Sequence, residues 1–114
     1  MTNRRLEAII EHQSDEKYVV MEVGNPEESR MVLVSLPLWY HSDIVREFYR
    51  RINGEAIRVL GGGILEISPQ ERRIRTYGMS GSYGRPDKSL VENILRANFP
   101  DYSLDVRVTD YVRG

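Results

Sequence analysis

The sequence predicts an α+β fold: one domain built on a mixed sheet of about six strands flanked by two helices. Three observations predict it. Short runs of alternating or β-branched residues recur along the chain, two segments carry apolar residues at helical spacing, and those segments separate hairpin-like groups of strands. The chain has 114 residues, inside the usual span of about 100–200 residues per domain, so residues 1–114 are expected to form a single domain.

The elements follow in order. Glu7 to Gln13 reads as a first strand. Lys17 to Val23 is a stronger one, with Tyr18, Val20 and Glu22 alternating against Val19, Met21 and Val23. Gly24-Asn25-Pro26-Glu27 is a turn, and Arg30 to Leu36 is a β-branched run stopped by Pro37. Ile44, Val45, Phe48, Tyr49 and Ile52 then recur as one helical stripe. Ser42 or His41 stands at its cap, Asp43 lies in its first turn, and Asn53-Gly54 closes it. Ala56 to Leu60 and Ile64 to Ser68 read as two strands joined in a tight hairpin through Gly61-Gly62-Gly63. After the turn at Ser68-Pro69-Gln70-Glu71, Arg72 to Tyr77 reads as a solvated edge strand, because its arginines would blunt an edge. A small, polar, glycine-rich stretch, Gly78 to Arg85, precedes a second helix. Pro86 suits that helix's first position, Asp87 its first turn, and Leu90, Val91, Ile94 and Leu95 its apolar stripe. Phe99-Pro100-Asp101 ends it, and Leu104, Val106 and Val108 alternate along a closing strand.

Composition excludes several classes of chemistry. Sixteen basic residues against 17 acidic ones give a net charge of −1, which argues against a general nucleic-acid binder. Cysteine is absent, which removes disulfides, thiolate nucleophiles, thiolate zinc sites and iron–sulfur clusters together. The two histidines, His12 and His41, fit no metalloprotease or EF-hand spacing, so no metal and no cofactor is expected. No apolar run nears the roughly 20 residues of a membrane span, and the first residues do not form a signal-peptide core. The expectation is a cytoplasmic monomer without membrane attachment.

Two segments stand out chemically. His41 lies where Trp39-Tyr40 meets a helix start. Helix N-termini offer backbone N–H groups and a positive dipole end, and they favour a neutral imidazole that can act as base or nucleophile. It could equally be a simple cap. Ser80-Gly81-Ser82, in the glycine-rich stretch, could cradle a phosphate with consecutive N–H groups and hydroxyls, or be an ordinary turn. Elsewhere, Arg73, Arg75 and Tyr77 share a strand face and could clamp single-stranded nucleic acid. His12 reads as a surface residue, and Arg46, Arg50 and Arg51 as the wet face of the first helix or a docking surface for acidic partners.

Taken together, Lys17-Tyr18-Val19, Tyr40-His41-Ser42-Asp43-Ile44, Leu60-Gly61-Gly62-Gly63, Tyr77-Gly78-Met79-Ser80-Gly81-Ser82-Tyr83-Gly84 and Phe99-Pro100-Asp101-Tyr102 resemble the protein histidine phosphatase family, also called the Janus/Ocnus family. The resemblance is collinear from Lys17 to about Asp105. It implies metal-independent hydrolysis of phosphohistidine on proteins, with phosphohistidine-containing proteins as partners and phosphate as product. It implies that His41 is catalytic, that Lys17 assists phosphoryl binding or transfer, and that Tyr40, His41, Ser42, Ser80, Gly81 and Ser82 hold the phosphate. Two family arginines are replaced, one by Ile64 directly after the glycines and one by Leu33. The loop between the second and third strands is also short. This implies an altered basic rim, for which Arg30, Arg75 and Arg85 are the candidate substitutes. A non-catalytic phosphoprotein-binding module of the same fold is the alternative reading.

Overall fold

The structure is a computed structural model that describes residues 5–25 and 27–108, together with the backbone of 112–113. Its centre is a hairpin of β2 (Asp15–Asn25) and β3 (Glu28–Ser35), closed where Asn25 pairs with Glu28. Asn25 Oδ1 accepts from the amides of Glu27 and Glu28, at 3.1 and 2.7 Å, and so replaces backbone bonding inside the turn. On its other side β2 pairs antiparallel with β4 (Ile57–Ser68), and β4 with β5 (Arg73–Tyr77). Two chain-distant strands complete the sheet in parallel: β1 (Arg5–Ile10) beside β3, and β7 (Ser103–Val106) beside β5. The order is β1-β3-β2-β4-β5-β7. A separate pair of two-residue strands joins β6 (Met79–Ser80) to β8 (Val112–Arg113).

A helix covers each face. Helix α1 (His41–Arg51) brings Ile44 and Phe48 onto Val19, Met21, Val23, Val32 and Val34. Helix α2 (Lys88–Asn98) brings Val91, Ile94 and Leu95 onto Tyr18, Val20, Leu33, Leu65 and Ile74. Both faces of β2 are therefore buried, which explains why Tyr18 to Met21 is a continuous apolar run rather than an apolar–polar alternation. Among the described residues no helix is long and apolar enough to cross a membrane.

Several boundaries differ from expectation. The triple glycine does not turn. Gly61, Gly62 and Gly63 lie inside β4, one uninterrupted strand of 12 residues. Its only irregularity is a bulge: Val20 pairs with Gly61 but Met21 with Val59, which leaves Leu60 as the extra residue. Gly61 has φ +145°, and a Cβ there would lie 2.6 Å from Pro86 N, so glycine is required at the bulge. β5 is not an edge, because β7 covers it in parallel; its exposed arginines are instead balanced by carboxylates, Arg73 by Glu71 and Arg75 by Glu66 and Asp105. Pro86 lies ahead of α2, not inside it. Asp87 is the N-cap, its carboxylate accepting from the amides of Ser89 (2.9 Å) and Leu90 (3.4 Å). β1 begins two residues before the expected Glu7 and ends at Ile10 rather than Gln13, and β7 ends at Val106, before Val108.

Candidate active site

His41 is the first residue of α1, and the cap is Tyr40 rather than His41 or Ser42. Tyr40 has extended φ/ψ, its carbonyl accepts from the amides of Asp43 (3.0 Å) and Ile44 (3.4 Å), and the Asp43 carboxylate accepts from the Tyr40 amide at 3.1 Å. That reciprocal closure fixes where the helix begins. The amides of His41 and Ser42 stand ahead of the intrahelical ladder, at the positive end of the helix dipole.

The His41 side chain turns inward and is fully buried. It lies on Gly62: a Cβ there would be 3.0 Å from His41 Cδ2 and 2.5 Å from the Tyr18 carbonyl oxygen. His41 Nε2 is 2.9 Å from the Gly63 carbonyl oxygen. A carbonyl only accepts, so Nε2 carries the hydrogen. In the neutral ring the lone pair therefore sits on Nδ1, which is itself buried and is the basic nitrogen of the ring. The backbone of β4 thus sets tautomer and ring orientation, a role often given to a carboxylate.

Lys17 is on the same face. Its direct partner across the ladder is Ile64, and Gly62 is its diagonal neighbour. Diagonal neighbours lie about 7–8 Å apart at Cα, within reach of a lysine side chain extended towards the histidine. The half-buried Lys17 side chain makes no ion pair among the described residues. Ile64 lies on this face and is 4% exposed, a buried apolar side chain beside Lys17 across the ladder. Leu33 is different. It is fully buried beneath α2 on the opposite face, so no arginine there could rim this pocket. Of the proposed substitutes, Arg30 is held by Glu7 and Glu55, and Arg75 by Glu66 and Asp105. Arg85 is exposed in the glycine-rich segment.

The glycine-rich segment does reach His41, but its donors are spent differently from the expected cradle. Ser80 is fully buried, and its Cβ would be 3.4 Å from a Cβ on Gly62, so Ser80 and His41 meet over that glycine. Ser80 Oγ accepts from the amides of Ser82 (3.2 Å) and Tyr83 (3.1 Å), while the Ser80 carbonyl accepts from Gly84 N at 2.9 Å. The hydroxyl and two of the amides therefore staple the turn and do not point outward. Gly84 returns the favour to the sheet, its carbonyl accepting from Gly62 N at 3.2 Å. Gly81 and Ser82 stand exposed at the tip. Trp39 (83% exposed) and Tyr40 (59%) form an aromatic lip beside the helix start.

One contributor was not visible in the sequence. His12, read as a surface residue, is half-buried, and its Nε2 lies 2.7 Å from Ser35 Oγ. Its Nδ1 accepts from Ser14 N at 3.2 Å, so Nε2–H donates to Ser35, whose hydroxyl in turn donates to the Lys17 carbonyl at 2.8 Å. The chain of bonds ties the start of β2 to the end of β3. Burial lowers the His12 pKa from its usual 6.5, against the opposing charges of Glu16 and Asp15. A base with a depressed folded-state pKa favours the native state above its unfolded pKa and penalises it as pH falls. Stability should therefore drop as pH is lowered from about 6.5, and His12→Gln should flatten that slope. Urea midpoints between pH 7.5 and 5.5 test this; an unchanged slope in the variant would exclude His12 as the cause.

Two hollows among the described residues lie away from the helix start. One of about 610 Å³ sits at the far end of β2, among Arg5, Gly24, Arg30 and Glu55, and one of about 520 Å³ beside Asp15 and Pro69. Neither touches His41. Among the described residues no group of three or more His, Asp or Glu is placed to hold a metal ion.

The site can be compared with known proteins. The model of the Janus/Ocnus family matches residues 5–103. The 14 kDa phosphohistidine phosphatase of Sus scrofa is 32% identical over 102 residues, covering 77% of this chain and 78% of that protein. The human protein of the same name is 28% identical over 102 residues, with the same coverage. The sex-regulated protein janus-A of Drosophila melanogaster is 26% identical over 100 residues, covering 83% of this chain and 73% of its own.

Proposed function

This chain belongs to the Janus/Ocnus family, and from that premise we propose that it hydrolyses the P–N bond of phosphohistidine on proteins, without a divalent metal, through Nδ1 of His41. The observation that carries the reading is the His41–Gly63 hydrogen bond, which holds a buried imidazole at a helix start with its lone pair on Nδ1. The phosphoryl group would bind at the first-turn amides of His41 and Ser42, beside Tyr40 and the exposed tip Gly81-Ser82. Lys17 would neutralise charge on its oxygens. Ser80 would act indirectly, by holding the tip in place.

Two routes use the same nitrogen. In one, Nδ1 forms a bond to phosphorus as the substrate's N–P bond breaks; the protonated imidazole leaves, and water then releases phosphate from His41. In the other, Nδ1 takes a proton from water as its oxygen attacks phosphorus, the N–P bond breaks and the protonated imidazole leaves with phosphate formed directly. Rapid-quench labelling separates them, since only the first deposits acid-labile phosphate on His41. A P–N bond suits this equipment, because a protonated imidazole is a far better leaving group than an alkoxide.

The direct test is turnover of a small phosphoramidate. We expect hydrolysis unaffected by EDTA. Activity abolished by EDTA and restored by magnesium or manganese would overturn the metal-free mechanism. Tight phosphate binding with no turnover would favour the non-catalytic module, a reading supported by the inward hydroxyl of Ser80 and the apolar Ile64.

A further inference from the structure

A groove of about 430 Å³ runs beside α1, starting at Ser42 in the turn that carries His41. One wall is the helix flank, with Val45 and Tyr49; the floor is Ile57 and Val59 of β4; the far wall is Tyr83. These residues come from the same three elements that build the candidate active site: α1, β4 and the glycine-rich segment. Val45, Ile57, Val59 and Tyr83 pack only partly against the core beneath α1, and Tyr49 is 54% exposed. The surface is thus apolar, open and continuous with the helix start. Arg46 stands on the groove wall, 79% exposed at its side chain, with a 3.5 Å contact to Asp43 as its ion pair.

The length is informative. Seven residues of helix separate Ser42 from Tyr49, about 10 Å at 1.5 Å per residue. Extended chain covers that distance in about three residues. We propose that this groove is the substrate-docking surface: it takes an apolar side chain two or three residues from the phosphorylated histidine of a protein substrate, with Arg46 meeting the polar backbone or a carboxylate of the same segment. The proposal rests on the phosphatase reading above and names the kind of protein segment that the site selects. A free phosphoramino acid would leave the groove empty; an extended phosphoprotein segment would fill it.

The test uses two peptides carrying a stable phosphonate analogue of phosphohistidine. One has leucine at two and three residues on either side, the other serine at the same places. Binding is measured by fluorescence anisotropy, and hydrolysis of a small phosphoramidate is followed alongside. Burying one leucine side chain should tighten binding by about ten-fold or more. Tyr49→Ser should remove most of that preference, Tyr49→Phe should keep it, and both should hydrolyse the small phosphoramidate at the parent rate. Equal binding of the two peptides, with the phosphoramidate still hydrolysed, overturns the groove and leaves the phosphatase reading standing. A leucine preference without hydrolysis overturns the phosphatase reading and keeps the groove. Concentration-dependent dimerisation that Tyr49→Ser abolishes would show that a second copy of the chain occupies the face, and would also overturn the proposal.

Discussion

His41→Ala should lose all measurable turnover of a small phosphoramidate, and added imidazole should restore part of it. The ring is fully buried on Gly62, so alanine leaves a hole of imidazole shape with the Gly63 carbonyl still facing it. The helix cap is Tyr40, so no capping group is lost with His41. Its removal should cost about 1–3 kcal/mol, from the cavity and from a buried carbonyl left without its donor. The variant should still fold, as shown by an unchanged circular dichroism spectrum and a lower melting temperature. A variant that kept most of its activity would end the assignment of His41 as the reacting group.

Lys17→Ala should slow the same reaction by about 100- to 1,000-fold, the usual loss for one donor aimed at developing charge. Little stability should be lost. The Lys17 backbone keeps its pairing with Ile64 of β4 and its carbonyl keeps the Ser35 hydroxyl, neither of which involves the side chain. Lys17→Arg should fall between, since it retains charge but not the compact ammonium. The small substrate matters here, because it removes any contribution from protein docking. Less than a five-fold loss would exclude an electrostatic role at phosphorus. If Lys17→Ala lost everything while His41→Ala lost little, the two roles would be reversed.

The architecture was largely legible because its signals are local. Helix stripes at Ile44/Phe48 and Val91/Ile94/Leu95 and β-branched runs at 17–23 and 30–36 each reflect one element's own burial. What misled is non-local. Three consecutive glycines have poor strand propensity, and nothing near them in sequence says that Pro86, the Tyr18 and Tyr77 carbonyls and the His41 ring will crowd against them from both sides. The triplet was therefore noticed and misread. The edge assignment of β5 failed for the same reason, since β7 arrives some 30 residues later. At the site, His41 is marked by its place at a helix start and Lys17 by the resemblance alone, but the Gly63 carbonyl that sets the tautomer has no side-chain signature. The donor direction of Ser80 depends on a turn of four residues whose polar groups can face either way.

The parallel edge strand β1 carries a consequence for how the protein is made. It precedes every other described element, yet its inner neighbour is β3 and its cover is α2, which follows β6 in the chain, with Asn98 Nδ2 donating to the Leu6 carbonyl at 3.0 Å. On a ribosome, β2, β3 and β4 can pair as soon as they emerge, while β1 can reach β3 but stays bare on the side of α2. Nascent chains that end before residue 88 should therefore expose Leu6, Ala8 and Ile10, and β1 amides in such chains should exchange with solvent far faster than those of β2. The synthesis of α2, not the appearance of β1 itself, covers this apolar face of the strand.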